Sequence, residues 1–278
     1  MTNHVDGRTI VITGAGGGFG RLVAQKTAAL GGRVAVADID LSAADETVGL
    51  VEAEGGAAFS ALVDVADRTQ MVDLARETVA RYGSIDVMVN NAGVMPLAMY
   101  ADHAQAADAW DHCIDVNLKG VLNGIIAVHD QMIEQGRGQI VNISSIYGNY
   151  PVTGAAVYGA TKAAVAFLSE ALRQESVGKI KVTTIRPTGV PTTGLGGGVI
   201  NQAAIAGVVG GKLDDFMETM VSMFSGEGPP HLTDADDIGY FALSADLLAD
   251  SIIHVINQPW GVSISDLSVR ASGDSYVI

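Results

Sequence analysis

Short apolar runs alternate along the first two thirds of the chain with longer segments in which apolar residues recur every three or four positions. The short runs are rich in β-branched residues and predict buried strands, whereas the longer spacing predicts amphipathic helices. The predicted strands cover 9–13, 33–37, 57–63, 85–89, 139–143 and 180–185. Strands that alternate with helices form a parallel sheet covered on both faces. The sequence therefore predicts an α/β fold, a single doubly wound domain over 1–278 with about seven parallel strands.

The alternation stops between residues 188 and 232, where glycine is frequent and methionines recur at a spacing of three. We expect a mobile lid over an apolar pocket here, with one amphipathic helix near 213–224, because loops this long are usually functional or disordered. A glycine-rich surface excursion without a substrate role is the alternative. After it we expect a helix at 234–248, a final strand at 252–256, and an irregular tail at 257–278 that closes the pocket or reaches a neighbouring subunit.

A glycine-rich turn, Gly14 to Gly20, follows the first strand and opens the first helix. Glycines let the backbone approach a pyrophosphate, and the free amides at a helix start attract its negative charge. The second strand ends at Asp38, 18 residues after Gly20, and Ile39 follows it. A carboxylate at this place hydrogen-bonds ribose hydroxyls and repels a 2′-phosphate, although it could also be an ordinary solvated strand end. The pattern predicts a dinucleotide site that prefers NAD to NADP.

Hydroxyl groups cluster after the fifth strand, at a distinctive distance from a lysine. Tyr158 lies thirteen residues after Ser145, and Lys162 lies four residues after Tyr158, which places the two on one face of a helix. A lysine cation held close by favours phenolate and lowers the pKa of the tyrosine. Such a phenol can exchange a proton with an alcohol or ketone. We expect this stretch to be the chemical centre of an oxidoreductase.

Several motifs follow one another in a fixed order, namely Thr13-Gly14-x-x-x-Gly18-x-Gly20, Asn90-Asn91-Ala92-Gly93, Asn117, Ser145, Tyr158 and Lys162. Over residues 7–255 their order and spacing closely resemble the short-chain dehydrogenase/reductase family. The resemblance implies a Rossmann domain with Tyr158 as the catalytic acid/base. It implies that Lys162 holds the nicotinamide ribose and lowers the tyrosine pKa, and that Asn117 holds a water in a proton relay. The family spacing also selects Ser145 over Ser144 as the residue that orients the substrate oxygen.

The same resemblance implies roles for the other candidate site residues. Those expected to bind the cofactor are Gly14, Gly18, Phe19 and Gly20 at the pyrophosphate, Asp64 and Val65 at the adenine, Asn91, Ala92 and Gly93 at the adenosine ribose, and Val190 and Thr192 at the carboxamide. Those expected at the substrate wall, beside Ser145, are Met95, Tyr150 and Gly189. One residue departs from the family pattern: Thr188 stands where a glycine is usual, so the backbone near the nicotinamide is expected to differ.

Composition narrows the possible partners and the cell compartment. The net charge of −15 argues against nucleic acid, whose phosphates require clustered Lys and Arg. We expect no signal peptide and no membrane span, and the single cysteine, Cys113, is consistent with a reducing, cytoplasmic compartment. The six histidines form no metal-ligand pattern, so no metal site is expected. Homo-oligomers, tetramers or dimers, are what the family resemblance implies.

The predicted reaction is hydride transfer between NAD and a secondary alcohol or ketone. The methionine-rich segment favours an apolar substrate, such as an aromatic, alicyclic, terpenoid or steroid compound, although helix packing explains the same spacing. Two alternatives stay open at this point. One is an NADPH-dependent carbonyl reductase, and the other is a catalytically silent dinucleotide-binding regulator with the same fold.

Overall fold

The structure, a computed structural model, describes residues 2–191 and 193–278. Within these residues one parallel sheet of seven strands forms the centre of the molecule, with the strand order β3-β2-β1-β4-β5-β6-β7. The strands are β1 Thr9–Thr13, β2 Arg33–Asp38, β3 Ala57–Leu62, β4 Val87–Asn90, β5 Gly138–Ile143, β6 Ile180–Pro187 and β7 Asp266–Val269. The predicted doubly wound α/β domain is confirmed, because the sheet is parallel and helices cover both faces.

Helices connect the strands and cover the sheet. They are α1 Gly18–Ala29, α2 Leu41–Ala53, α3 Arg68–Tyr82, α4 His103–Ile114, α5 Gly120–Glu134, α6 Ala156–Glu175, α7 Ala206–Val209, α8 Leu213–Ser225 and α9 Ala245–Ile256. Side chains of α1, α2 and α9 form the apolar core on one face of the sheet, and those of α3, α5 and α6 form the core on the other. A third apolar cluster lies where α7 and α8 meet Leu97 and Ile146. This third cluster covers the carboxyl end of the sheet.

The strand order reverses at β1, which pairs with β2 on one side and β4 on the other. In open α/β sheets the crevice outside the carboxyl ends of the strands, at this reversal, is the usual place for a ligand. The segments that follow β1, β2, β4 and β5 therefore converge on one edge. These are the glycine turn, Asp38, the Asn-Asn-Ala-Gly motif and the Ser145 region.

The predicted strand at 252–256 is wrong, because these residues form the last two turns of α9. Ser244 caps this helix by accepting a hydrogen bond from the Leu247 N–H at 3.2 Å. Ile252, Val255 and Ile256 are all buried, and α9 packs along α1. Burial of a continuous apolar face outweighs the strand preference of β-branched residues. The seventh strand lies instead in the segment 257–278, which we expected to be irregular.

The chain that leads into β7 is fastened at the amino-terminal edge of the sheet. The Trp260 ring lies 4.2 Å from the Arg8 guanidinium carbon, 5.1 Å from that of Arg137 and 5.3 Å from the Lys181 Nζ. Arg8 also donates to the carbonyls of Ile256 and Gln258, at 2.6 and 3.1 Å. Burial lowers the pKa of Lys181 to about 8. Among the described residues, no helix has the length and apolar character needed to cross a membrane.

Candidate active site

The glycine turn packs directly against the Asn-Asn-Ala-Gly motif that follows β4. Asn91 donates from Nδ2 to the carbonyls of Thr13 and Gly14, at 2.8 and 2.9 Å, and the Thr13 hydroxyl accepts from the Asn91 N–H at 3.1 Å. A Cβ on Gly20 would lie 2.4 Å from the Gly14 oxygen and 2.5 Å from Asn91 Nδ2. Gly14 also has a φ of +63°, which favours glycine. The backbone of the turn is thus packed too closely to admit a side chain at Gly20, and the start of α1 stays accessible.

Asp38 lies beside this turn at the end of β2. Its Oδ2 accepts from the Gly16 N–H at 2.8 Å, and its Oδ1 accepts from the Asp40 N–H at 3.0 Å. Arg21, one turn into α1, is already paired with Glu46 at 2.9 Å and donates to the Gly16 carbonyl. The rim of the turn therefore presents the Asp38 carboxylate, whereas the guanidinium of Arg21 is already paired with Glu46.

A cavity of about 330 Å³ opens above the turn. The residues expected at the pyrophosphate, adenine and adenosine ribose all line it: Gly14, Gly18, Phe19, Gly20, Asp38, Ile39, Asp64, Val65, Asn91, Ala92 and Gly93. His112 and Val94 also line it, and the sequence did not single these out. The combination of glycine-lined floor, helix start and flanking carboxylate suits a dinucleotide.

Tyr158 and Ser145 meet at the carboxyl end of β5. Ser145 caps a short 3-10 turn and accepts from the Tyr147 N–H at 3.3 Å. Burial raises the pKa of Tyr158 to about 12, while the nearby Ser145 side chain acts in the opposite direction. Ser144 is occupied differently, because its hydroxyl donates to the Lys162 carbonyl at 2.8 Å. The Ser145 hydroxyl, unlike that of Ser144, therefore donates no hydrogen bond to another of the described residues.

Lys162 follows Tyr158 by one turn of α6, as the spacing predicts. Its Nζ donates to the Ile143 carbonyl at 2.9 Å and lies 5.8 Å from the centre of the Tyr158 ring. Burial lowers the pKa of Lys162 to about 8. The expected lowering of the Tyr158 pKa is not found. Both groups are buried, and desolvation disfavours the phenolate more than its surroundings favour it.

Asn117 lies in a π-helical segment, Asp115–Lys119, between α4 and α5. Its Oδ1 accepts from the Val94 N–H and its Nδ2 donates to the Val94 carbonyl, both at 2.9 Å. Nδ2 also reaches Cys113 Sγ at 3.2 Å and Thr161 Oγ1 at 3.4 Å. The side chain is fully buried and lines neither cavity. Asn117 thus connects the backbone that follows Gly93 to Cys113 of α4 and Thr161 of α6.

A second cavity, of about 680 Å³, adjoins the first and contains Ser145, Tyr158 and Lys162. Phe19, Asn91 and Gly93 border both cavities. The helix predicted near 213–224 is confirmed as α8, whose Met217, Met220, Val221 and Phe224 form part of the cavity wall.

The predicted substrate and nicotinamide residues do not all reach this cavity. Met95, Gly189 and Val190 line it. Tyr150 does not: its side chain is 67% exposed, because the loop carrying it points to solvent. Tyr147 lines the cavity instead, and its ring packs edge-on against that of Tyr158, with 5.5 Å between ring centres. Thr192 lies outside the described residues.

Tyr276 and Thr188 also line the large cavity. Thr188 was noticed only as a departure from the family pattern, and Tyr276 not at all. Sequence offers no signal for Tyr276, since it follows the last strand in a segment without periodicity. Among the described residues, no group of three His, Cys, Asp or Glu side chains could hold a metal ion.

The fold and the paired cavities define the class of protein: an oxidoreductase with a nicotinamide dinucleotide site. The family described as short chain dehydrogenase matches residues 8–202. An uncharacterized oxidoreductase of Listeria monocytogenes is 31% identical over 268 residues, covering 95% of this chain and 96% of its own. The chain belongs to the short-chain dehydrogenase family, as the order of its motifs predicted.

Further relatives and solved structures agree with this assignment. A 2,5-dichloro-2,5-cyclohexadiene-1,4-diol dehydrogenase of Sphingobium indicum is 32% identical over 193 residues, covering 69% of this chain and 76% of its own. A metagenomic short-chain oxidoreductase in complex with NADP superposes with a TM-score of 0.72 at 26% identity, covering 96% of this chain and 97% of its own. An alcohol dehydrogenase from Thermococcus sibiricus, complexed with 5-hydroxy-NADP, has the same fold, with a TM-score of 0.76 at 21% identity over 96% of this chain and 97% of its own.

Proposed function

We propose that this protein is an NAD-dependent oxidoreductase that interconverts a secondary alcohol and a ketone on an apolar substrate, with Tyr158 as the acid/base. The observation that carries the proposal is the position of the Tyr158 and Ser145 hydroxyls. They lie together in the apolar cavity that shares Phe19, Asn91 and Gly93 with the dinucleotide-shaped one. A substrate oxygen bound to both hydroxyls has its carbon beside the boundary between the cavities.

The chain's own residues supply the proton transfer. In the oxidative direction Tyr158 accepts the proton of the substrate hydroxyl while Ser145 donates a hydrogen bond to the same oxygen. NAD, when bound, supplies the hydride acceptor. Lys162, four residues from Tyr158, supplies positive charge that offsets the cost of a buried phenolate. The Asn117 side chain is fully used by Val94, so a relay water at Asn117 has the backbone carbonyl as its anchor.

A preference for NAD over NADP follows from the rim of the dinucleotide cavity. The Asp38 carboxylate stands where it can accept hydrogen bonds from ribose hydroxyls, and it repels a 2′-phosphate. Arg21, the nearest arginine, is paired with Glu46 and is not free to bind a phosphate. The two solved structures above are bound to NADP or a derivative of it, so cofactor choice is the first property to measure.

The test is a screen of secondary alcohols with NAD and with NADP, followed by the absorbance of the reduced cofactor. We expect turnover with NAD on bulky apolar alcohols, and loss of turnover with retained NAD binding in Tyr158→Phe. Asp38→Ala should raise kcat/KM for NADP relative to NAD. Asp40→Ala is the matched control, because it removes an equal charge two residues away while sparing the rim.

The two alternatives give different results in the same screen. A wild-type protein that already prefers NADPH is a carbonyl reductase and refutes the role of Asp38. A protein that binds NAD with no turnover on any alcohol or ketone is the silent regulator. The Sphingobium relative acts, by its name, on an alicyclic secondary alcohol, which supports the substrate class proposed here.

We also propose a lid over the substrate cavity and a homo-oligomeric state. Residues 188–232 form a lid over the substrate cavity, since α8 contributes part of its wall. A homo-oligomer, tetramer or dimer, remains part of the proposal, and Phe167 of α6, 78% exposed, is an apolar residue available for such contact. Size-exclusion chromatography with light scattering measures that state directly. A cytoplasmic location stays a prediction.

A further inference from the structure

The substrate cavity contains polar groups that the proposed reaction does not use. Most of its wall is apolar, with Leu97, Val208, Phe216 and Met220 among its members. Besides Ser145, Tyr158 and Lys162, its polar lining includes Tyr147, Tyr276 and Thr188, as well as Thr193, Gln202 and Ser225. Polar groups in an apolar site fix the orientation of a ligand by pairing with its polar atoms. The positions of these polar groups therefore indicate where a substrate carries its own polar atoms.

Tyr276 is carried into the cavity by the segment that follows β7. A Cβ on Gly189 would lie 1.8 Å from the Tyr276 hydroxyl oxygen, so the phenol occupies the space that the missing side chain leaves. The Tyr276 ring packs against Phe216, with 5.9 Å between ring centres. Gly189 is thus small for a structural reason: it admits the hydroxyl of a residue from the far end of the chain.

The segment around Tyr276 is fixed by specific bonds. Arg270 donates to the Tyr276 carbonyl at 2.9 Å and to Asp274 at 2.6 Å. The Val277 N–H donates to the Val208 carbonyl at 2.9 Å, which ties the segment to α7. Tyr276 is therefore held in place from both sides, as a residue that selects a ligand must be.

The Tyr147 and Tyr276 phenols line the same cavity, and both residues are partly buried. Burial raises the pKa of Tyr147 above its usual range, and the neighbouring Tyr276 raises it further. Burial also raises the pKa of Tyr276 to about 12. Both therefore stay neutral and keep a proton to donate. Neither hydroxyl makes a hydrogen bond to another of the described residues.

Thr188 adds a buried hydroxyl next to Gly189. Its Oγ1 is buried and has no hydrogen-bond partner among the described residues, although its N–H donates to the Val269 carbonyl of β7 at 3.1 Å. A buried hydroxyl without a partner destabilises the fold. A ligand oxygen removes this cost when the Thr188 side chain turns toward the cavity that the residue lines.

We propose that Tyr147, Tyr276 and Thr188 form a second polar subsite that binds a second oxygen, hydroxyl or carbonyl, of an otherwise apolar cyclic substrate. The substrate is then a diol or a hydroxyketone, oxidised at the oxygen held by Tyr158 and oriented by the other. Tyr276 is the specificity-determining residue, since it contacts the substrate without taking part in proton transfer. This inference rests on the proposed alcohol oxidation and names its substrate class.

The experiment compares mono-alcohols with diols on the same ring. The probes are cyclohexanol and the 1,2-, 1,3- and 1,4-cyclohexanediols, with 2-decalol and 2,6-decalindiol as a larger pair, all oxidised with NAD. The wild type should favour at least one diol over its mono-alcohol by about 10-fold in kcat/KM. Tyr276→Phe should lower the ratio of kcat/KM for that diol to kcat/KM for its mono-alcohol by about 3- to 10-fold, the worth of one hydrogen bond.

Tyr147→Phe should act in the same direction as Tyr276→Phe. The matched control is Tyr150→Phe, in the same loop as Tyr147 but exposed, which should leave every probe unchanged. Equal oxidation of diols and mono-alcohols by the wild type, or an equal loss on both in Tyr276→Phe, overturns the subsite.

A binding measurement separates this inference from the proposed reaction. Isothermal titration of the same probes into NAD-loaded Tyr158→Phe reports the subsite without turnover. Tighter binding of a diol, with no oxidation by the wild type, supports the subsite and refutes the proposed function. Oxidation without any diol preference refutes the subsite alone, and the absence of both oxidation and diol preference refutes both.

Discussion

Replacing Asn117 by alanine should destabilise the protein because one side chain bonds both backbone polar groups of a single residue, Val94. Its two amide atoms bond the Val94 N–H and carbonyl, each at 2.9 Å, and the side chain is fully buried. Alanine keeps the helix but leaves these two backbone groups without their partners. Since Val94 borders the dinucleotide cavity, the loss should also weaken NAD binding.

The expected loss of stability follows from the two hydrogen bonds between Asn117 and Val94. A polar group left unpaired on burial costs about 1–3 kcal/mol, and Val94 is only partly buried, so each loss lies in the lower part of that range. The free energy of unfolding should fall by about 2–4 kcal/mol in total. The contacts of Nδ2 with Cys113 and Thr161 are longer and contribute less.

Urea denaturation followed by circular dichroism measures this difference. Lys119→Ala is the matched control, because it lies in the same π-helical segment with a side chain 59% exposed and paired only with Asp115. Its effect should stay within about 0.5 kcal/mol, as for most surface positions. A loss below about 0.5 kcal/mol for Asn117→Ala as well would refute the clamp, since the Val94 groups would then be satisfied without it.

Three further outcomes can be checked. Gly20→Ala should lower NAD affinity at least about 10-fold, because its Cβ would overlap the loop backbone. Gly49→Ala, at an exposed position of α2 where a Cβ meets nothing within 4 Å, should change it less than about 2-fold in fluorescence titration. Lys162→Met should stop turnover yet raise stability at pH 7. Below pH 8 the Lys162 ammonium of the folded wild type is a buried charge, and from about pH 8 to 10.5 only the unfolded state keeps this proton. The free energy of unfolding of the wild type should therefore rise with pH over this range, by about 1–3 kcal/mol from Lys162. Urea titrations of the variant should lack the contribution of Lys162 to this rise. Trp260→Ala should cost about 2–3 kcal/mol in the same assay, and a change below about 0.5 would show that its three cations are held by other contacts.

Local sequence was sufficient for the elements that carry the dinucleotide site. Five of the six early strands are mostly buried apolar runs, whereas β3 buries only Phe59. Each of the six ends in a motif that the parallel sheet brings to one edge. The spacing from Ser145 to Tyr158 to Lys162 also succeeded, because an α-helix fixes which of these residues share a face. These features depend on neighbours along the chain, which a sequence displays directly.

The features that sequence missed depend on partners distant along the chain. The run Ile252 to Ile256 is strand-like in composition, yet packing against α1 makes it helical. The true seventh strand, Asp266–Val269, is short and partly exposed, so it lacks an apolar run. The position of Tyr276 depends on Gly189, and the raised pKa of Tyr158 depends on how deeply the folded chain buries it.

The late position of β7 and Tyr276 in the chain sets an order of events during synthesis. A nascent chain grows at about 5–20 residues per second, so the residues that line the dinucleotide cavity are made before Tyr276. The wall of the large cavity is complete only when Tyr276 has been made and Arg270 bonds to its carbonyl. A chain that stops at Ile256 has every residue assigned to the nucleotide and the proton, yet lacks the last strand and the residue proposed to recognise the substrate. The residues proposed to bind the cofactor are thus made before the residue proposed to select the substrate.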